Sequence, residues 1–342
     1  MTRAVRGQNG VVERVRRLLA RLDRRQQRHR VLAVPWAVQR KFGDDQANLL
    51  VVALGWYGFT AIYPLLLAVT TVLGFIGVRS LGAGVVRTLH QFPVIGEQFS
   101  VSGGRTLHGS PLALAIGLAG LLYGAQGVTQ TAETAMNRVW NVPQVDRPGF
   151  LPGLGRSFGA LAGIGFAFLA NAFAGGLATS SGHGLGWRVA IIAGQLVLNV
   201  GLYLLTFRLL LAGPARARTA ALVPGAVLGG VAFTALITVG TGLVQHQLRH
   251  QSATYGAFAS VIGVVLFLLL LAKLSLYAAE LNPVLARRLY PRALPMCEPL
   301  PADRQVLTAR VREQRQRDDE HIRVHFEGDG GTPAGRAGSG GE

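Results

Sequence analysis

The sequence has few charged residues and a single cysteine. Charged residues make up 15% of its 342 positions and hydrophobic residues make up 50%, whereas a soluble domain usually carries about 25% charged residues. This scarcity of charge argues against a water-soluble globular protein. The single cysteine, Cys297, excludes an intramolecular disulfide framework and any metal site built from several cysteines.

The sequence also lacks the motifs of ATP-driven transporters and of common hydrolases. It has no Gly-x-x-x-x-Gly-Lys-Ser/Thr loop and no Gly-x-Ser-x-Gly elbow. A nuclease would need metal-binding carboxylates or histidines in a water-accessible domain, and the loops are too short to build one. His246 and His250 stand four apart, but they lie in a short loop without a nearby acid and are read as ordinary loop residues. We therefore expect no catalytic residue, bound metal or cofactor, and no enzyme activity.

Long apolar runs dominate the middle of the chain. A helix needs roughly 20 apolar residues to cross the hydrocarbon core of a bilayer, and six charge-poor runs reach that length. The sequence therefore predicts an all-α protein with six transmembrane helices. Pro64, near the middle of the first run, predicts a kink there. The runs cover residues 46–78, 111–132, 157–178, 189–211, 222–244 and 256–279.

The distribution of positive charge predicts the orientation. Of 34 Lys and Arg residues, 27 lie before the first run, after the sixth, or in the second and fourth connections. Five lie in the other connections, and two, Arg208 and Lys273, lie inside predicted spans. This bias predicts that both termini are cytoplasmic. The net charge of +17 then indicates affinity for anionic lipid headgroups rather than for nucleic acid.

The same features divide the chain into three parts. Residues 1–46 are expected to be a basic cytoplasmic segment, in which residues 11–30 have the pattern of an amphipathic helix. Attachment of this helix to anionic lipid and a solvated helix both stay open. Residues 47–282 are the predicted transmembrane domain. Residues 283–342 are a predicted cytoplasmic tail, disordered at its Gly-rich end.

Polar residues recur at helical spacing inside the second, fourth and sixth predicted spans. Such groups are costly at membrane depth and usually face a bundle interior or a water-filled cavity. In one interpretation the amides bridge helices and Lys273 extends to the headgroups. In the other, the polar residues line a vestibule open to the cytoplasm, where Lys273 or Arg208 pairs with Glu133 or Glu280. The candidate vestibule residues are Gln126, Gln130, Glu133, Asn137, Gln195, Asn199, Arg208, Lys273, Glu280 and Asn282.

Three segments carry a family resemblance. Lys41-Phe-Gly-Asp-Asp-Gln46 is followed by Trp56-Tyr-Gly-Phe-Thr-Ala-Ile-Tyr-Pro-Leu-Leu-Leu67, Ala135-Met-Asn-Arg-Val-Trp140 follows the second span, and Ala279-Glu-Leu-Asn282 ends the sixth. Over about residues 35–295 the chain resembles the YihY/BrkB family of inner-membrane proteins, formerly labelled ribonuclease BN. It departs from the family's first motif at Trp56, Ala61 and Tyr63. The resemblance implies a multi-pass protein of the plasma (inner) membrane, with six membrane helices and both ends in the cytoplasm, and it supplies no catalytic residue.

Two functions of different classes remain open from the sequence. The first is a transporter that does not use ATP, or a flippase-like handler of a lipid or envelope molecule. The alternative is a structural or scaffolding membrane protein that binds anionic lipid or partners through its basic tails. A membrane-bound ribonuclease is disfavoured, because the loops are too short for a metal-binding domain and the tails have no His/Asp metal motif.

Overall fold

A computed structural model describes residue 17 and residues 19–76, 111–147, 184–211, 218–248 and 256–326. Every regular element within these ranges is helical, so the predicted all-α class is confirmed for them. The predicted third span lies outside the described residues. The same holds for the start of the predicted amphipathic helix and for the Gly-rich end of the tail.

The described helices are numbered here in chain order. A helical segment at residues 19–28 comes before them, and a short 3-10 turn, Gln144–Asp146, follows the third. The bounds are α1 Arg30–Asp44, α2 Ala47–Ile76, α3 Pro111–Val139, α4 Leu185–Leu210, α5 Thr219–Leu248, α6 Gly256–Ala286 and α7 Pro301–Glu313.

Three described helices are long and apolar enough to cross a membrane. They are Val189–Leu210 in α4, Thr219–Thr238 in α5 and Val261–Ala286 in α6, and Ala47–Ile62 in α2 is a shorter apolar helix. Large apolar side chains such as Val197 and Leu266 are exposed on them, as expected where the neighbour is lipid rather than water. The count of six spans stays a prediction. So does the kink at Pro64, which lies inside α2.

Glycines stand where neighbouring helices come closest. A Cβ atom added at Gly225 of α5 would lie 2.2 Å from the carbonyl oxygen of Ala278 on α6. One added at Gly124 of α3 would lie 2.7 Å from the Cβ of Ala61 on α2. Small residues at such positions let helix backbones approach closely in lipid, where packing rather than the hydrophobic effect holds helices together.

The buried core lies where the ends of several helices meet. One apolar cluster joins α3, α4, α5 and α6 around Trp140, Phe207 and Leu222. A second cluster joins α1 and α2 to α3 and α6. In this second cluster the ring of Phe42 stacks on that of Tyr277, with 4.2 Å between their centroids. Helix α1 is thereby held against the end of α6.

The N-terminal and C-terminal segments pack on each other outside the bundle. Arg292 donates to Asp303 Oδ1 at 2.7 Å and to Asp44 Oδ2 at 2.8 Å. Gln26 Nε2 donates to the carbonyl oxygen of Arg292 at 2.6 Å, and the Leu294 amide donates to Asp23 Oδ1 at 3.0 Å. These bonds join residues 19–28, α1 and α7 into one layer.

Asp303 also fixes the start of α7. Its Oδ2 accepts the amide hydrogen of Leu300 at 2.9 Å and that of Ala293 at 3.1 Å. Burial alone would raise the pKa of this carboxyl, but the hydrogen bonds from Arg292, Leu300 and Ala293 lower it below its usual value. Asp303 is therefore ionised when it binds Arg292.

Candidate functional site

A cavity of about 390 Å³ lies between α2, α3, α4, α5 and α6. Apolar side chains such as Leu54, Met136 and Phe233 form most of its wall. Tyr203, Thr206 and Ser275 add hydroxyl groups to the wall. The hydroxyl oxygens of Tyr203 and Ser275 are 2.8 Å apart. A wall of this kind suits hydrocarbon, because a charged or strongly hydrated solute would lose its water without gaining matching partners.

The candidate vestibule residues do not line this cavity, as far as the described part of the chain defines its wall. The cavity does lie between α3, α4 and α6, which contain the second, fourth and sixth predicted spans. Most of its surface is nevertheless hydrocarbon, because the candidate polar residues lie in helix contacts or on exposed faces instead. Of the ten candidates, the exposed ones are Gln130, Arg208 and Lys273. The partly buried ones are Gln126, Glu133 and Gln195. The buried ones are Asn137, Asn199, Glu280 and Asn282.

Two of the buried amides join neighbouring helices. Asn199 Nδ2 donates to Thr234 Oγ1 at 2.9 Å and so links α4 to α5. Asn282 Oδ1 accepts the amide hydrogen of Gly225 at 2.7 Å and links α6 to α5. These bonds supply partners to buried polar groups.

Glu280 pairs with a residue that the sequence placed in the basic N-terminal segment. Lys41 Nζ donates to Glu280 Oε2 at 2.9 Å, to Asp45 Oδ2 at 2.5 Å and to the carbonyl oxygen of Val139 at 2.7 Å. The three donors of the ammonium group thus meet three acceptors. The side chains of Lys41 and Glu280 have no exposed surface, and that of Asp45 is 1% exposed. These groups are called the Lys41 cluster below.

Glu280 therefore pairs with Lys41 and not with Lys273 or Arg208, whereas the predicted pairing of these two residues with Glu133 stays a prediction. Lys273 shares a face of α6 with Glu280 by spacing, but it lies two turns closer to the middle of the helix and is exposed. Arg208 is also exposed, and its guanidinium donates to Thr219 Oγ1 at 3.3 Å. Helix α1 packs against the end of α6, and this packing places Lys41 next to Glu280.

The environment of Lys41 keeps it charged. Burial lowers the pKa of its ammonium group, but the carboxylates of Glu280 and Asp45 outweigh that effect and raise it above the usual value. A lysine buried without such partners would instead lose its proton. Lys41 therefore acts as a fixed positive charge that holds α1, α3 and α6 together.

The cluster unites the three segments that carry the family resemblance. Lys41 and Asp45 belong to the first, Val139 to the second and Glu280 to the third. Lys41 was not among the predicted site residues, although it belongs to the first of these segments, because charge counting treats it as one of many positive charges before the first span. One signal was available: Lys41 is one of two lysines among 34 basic residues.

The Lys41 cluster lies at one end of the cavity. Ala279, which precedes Glu280, and Met136, one turn before Val139, both belong to the cavity wall. A change of charge in the cluster therefore acts on helix segments that also shape the cavity. Within the described ranges, no group of three or more His, Cys, Asp and Glu residues is placed to hold a metal ion.

Comparison with known proteins gives one match. A family model described as "Virulence factor BrkB" matches residues 38–299. This range contains the Lys41 cluster, the cavity and all of helices α2 to α6. No curated protein and no solved structure matches the chain.

Proposed function

Because the chain belongs to the BrkB virulence-factor family, we propose that it is a multi-pass plasma-membrane protein that handles a lipid or lipid-like envelope molecule without ATP. The observation that carries this proposal is the apolar cavity between α2, α3, α4, α5 and α6. Its volume of about 390 Å³ falls within the range of about 300–1,000 Å³ typical of ligand pockets.

The chemistry of the wall favours a molecule with a hydrocarbon part. Leu54, Met136 and Phe233 offer apolar contact. The hydroxyl groups of Tyr203 and Ser275 are hydrogen-bonded to each other and Ser275 donates to the Leu271 carbonyl oxygen, so this pair can still accept a hydrogen bond from a polar group of a ligand. An amphipathic lipid combines these two requirements. A sugar or an inorganic ion would leave its polar groups without partners against this wall.

The proposed topology has six spans and cytoplasmic termini. It is supported by the 27 basic residues assigned to one side against five on the other. In this orientation the Lys41 cluster lies at the cytoplasmic end of the cavity. The layer formed by residues 19–28, α1 and α7 then faces the inner leaflet.

The scaffolding alternative is supported by the surface of that layer. Leu22 and Val31 are 56% and 82% exposed, and they stand among exposed arginines such as Arg21 and Arg28. Exposed apolar and basic side chains together favour binding to an anionic bilayer surface. Scaffolding would use this surface alone, whereas lipid handling needs the cavity, so the two functions can be separated by experiment. Ribonuclease activity stays disfavoured on the sequence argument.

Lipid transfer between leaflets is the direct test. The full chain is reconstituted in vesicles with a fluorescent phospholipid, and an impermeant reductant reports how fast lipid reaches the outer leaflet. Ala132→Phe places a ring in the cavity wall, whereas Ala235→Phe adds the same ring at an exposed site on α5. We expect at least a fivefold slower transfer for Ala132→Phe and an unchanged rate for Ala235→Phe.

Two results would contradict lipid handling. Equal rates for the two variants would show that the cavity is not used. A wild-type rate no faster than that of protein-free vesicles would favour scaffolding, and deletion of residues 1–30 would then be the variant that impairs function. Melting temperatures of both phenylalanine variants show whether a lost rate reflects a lost fold.

A further inference from the structure

The Lys41 cluster holds two carboxyl groups against one ammonium group. Asp45 and Glu280 each use one oxygen to accept from Lys41 Nζ. Their other oxygens, Asp45 Oδ1 and Glu280 Oε1, are buried and have no hydrogen-bond partner among the described residues. The two carboxyl groups lie close to each other, because both contact the same ammonium nitrogen, at 2.5 Å and 2.9 Å. With both ionised, the cluster would bury an excess negative charge together with two unsatisfied acceptors, and each of these is costly.

We propose that Asp45 and Glu280 form a proton-binding site and hold one proton between them. The proton is taken from water and forms an O–H bond on one of the two free oxygens, and that O–H group donates to the free oxygen of the other residue. One proton thus supplies partners to both oxygens and brings the net charge of the cluster from −1 to zero. Two carboxyl groups that share a site commonly bind a proton in this way.

The other charged groups around the cluster do not supply the missing positive charge. Glu313 of α7 lies near Asp45 and is a further acid, so it adds no positive charge to the cluster. Glu313 itself binds Arg147 Nη2 at 2.8 Å and Asn141 Nδ2 at 3.1 Å. Helix α3 also contains two charged residues, Glu133 and Arg138, which precede Val139 in the sequence.

Two further arginines at this end of the bundle have partners of their own. Arg292 is held by Asp44 and Asp303. Arg287 lies over the ring of Trp140, with 5.6 Å from its guanidinium carbon to the ring centroid, and it donates to the Trp140 carbonyl oxygen at 2.9 Å. Within the described ranges, Lys41 is therefore the cation that contacts both Asp45 and Glu280.

The position of the site gives the proton a structural consequence. Asp45 lies in the turn between α1 and α2, whereas Glu280 follows Ala279 of the cavity wall on α6. Loss of the proton would leave an uncompensated negative charge between these helices, and this charge would weaken their packing. The state of the proton is thereby linked to the packing of α1 on α6. This inference does not depend on the proposed lipid handling, because it concerns the empty protein.

Infrared spectroscopy of the reconstituted full chain tests the site directly. Near neutral pH we expect the carbonyl stretch of a protonated, buried carboxyl group, with an area equal to one group per chain. Glu280→Gln and Asp45→Asn should each abolish this band, because the remaining carboxylate then pairs with Lys41 alone. Glu298→Gln, which removes an exposed carboxyl group outside the cluster, should leave it unchanged.

A second measurement uses the wild-type chain without substitution. As the pH is raised above the ordinary carboxyl range, the melting temperature should fall and should level off once the band has disappeared, because over this range the folded chain holds a proton that the unfolded chain has released. The proposal is overturned if the wild type has no such band near neutral pH, or if the band persists in both pair variants. It is also overturned if the band disappears with rising pH while the melting temperature does not change. The infrared test needs no lipid substrate, so its failure is distinct from a failure of lipid transfer.

Discussion

At the scale of the residue, lysine suits position 41 by shape as well as by charge. An ammonium group carries three N–H donors on one nitrogen, and the acceptors here converge on that nitrogen from Asp45, Val139 and Glu280. A guanidinium group spreads its donors over a planar fork, so it would not direct three of them from a single nitrogen at these acceptors. The position therefore depends on a compact cation in a chain that otherwise uses arginine almost throughout.

Replacing each of the two lysines by methionine in turn compares the contribution of the buried cation to stability with that of the exposed one. Lys41→Met should lower the free energy of unfolding by about 3–5 kcal/mol, because it leaves buried carboxyl groups without their cation. Lys273→Met should lower it by less than about 0.5 kcal/mol, because its side chain is exposed. Thermal unfolding in detergent measures both. The double variant Lys41→Met with Glu280→Gln should lose less than Lys41→Met alone, and equal losses would contradict the pairing.

At the scale of the helix, the contact of α5 with α6 depends on a missing side chain. Gly225 lies so close to α6 that its amide donates to Asn282 Oδ1 at 2.7 Å. An added Cβ atom would overlap both the Asn282 side chain and the carbonyl oxygen of Ala278. The two helices could accept it only by moving apart, which would also stretch the buried hydrogen bond.

Gly225→Ala should therefore destabilise the protein by about 1–3 kcal/mol, the usual cost of overpacking a close contact. The matched control is Gly201→Ala on α4, where an added Cβ atom meets nothing within 4 Å. Alanine is the better helix former by about 1 kcal/mol, so Gly201→Ala should be neutral or stabilising. Melting temperatures compare the two variants. If Gly225→Ala melts at or above the wild-type temperature, the close approach of α5 and α6 is not as described.

Apolar length predicts helices well but says little about their neighbours. The fourth, fifth and sixth apolar runs of the sequence coincide with α4, α5 and α6, because a membrane helix must satisfy its backbone internally wherever it crosses lipid. Helical spacing also places Lys273 and Glu280 on one face of α6. It cannot show that α1 reaches this face from 239 residues earlier in the chain. Such contacts depend on how several helices pack, so both the Lys41 cluster and the cavity required the structure.

At the scale of the molecule, the charged groups concentrate at one end of an apolar bundle. The Lys41 cluster, the Arg292 bonds to Asp44 and Asp303, and the contact of Glu313 with Arg147 all lie around the ends of α3 and α6. The lipid-facing parts of α4, α5 and α6 are mainly apolar. In the proposed orientation this charged end faces the cytoplasm, where water and lipid headgroups can accommodate it.

The single thiol of the chain reports the orientation of this charged end. Cys297 lies between α6 and α7 and is partly exposed, so a maleimide can reach it when it is on the accessible side. With cytoplasmic termini, a membrane-impermeant maleimide should leave Cys297 unlabelled in intact cells and should label it after permeabilisation. Glu298→Cys in a Cys297→Ser chain offers a neighbouring thiol at an exposed position and should behave in the same way.

A thiol on the opposite side completes the orientation test. Ser102→Cys lies in the connection between the first and second predicted spans, which carries few basic residues and is predicted to be external. In a Cys297→Ser chain this thiol should react in intact cells. Labelling of Cys297 or of the Glu298→Cys thiol in intact cells would contradict cytoplasmic termini and would place the Lys41 cluster at the outer surface. The proton bound by Asp45 and Glu280 would then come from outside the cell rather than from the cytoplasm.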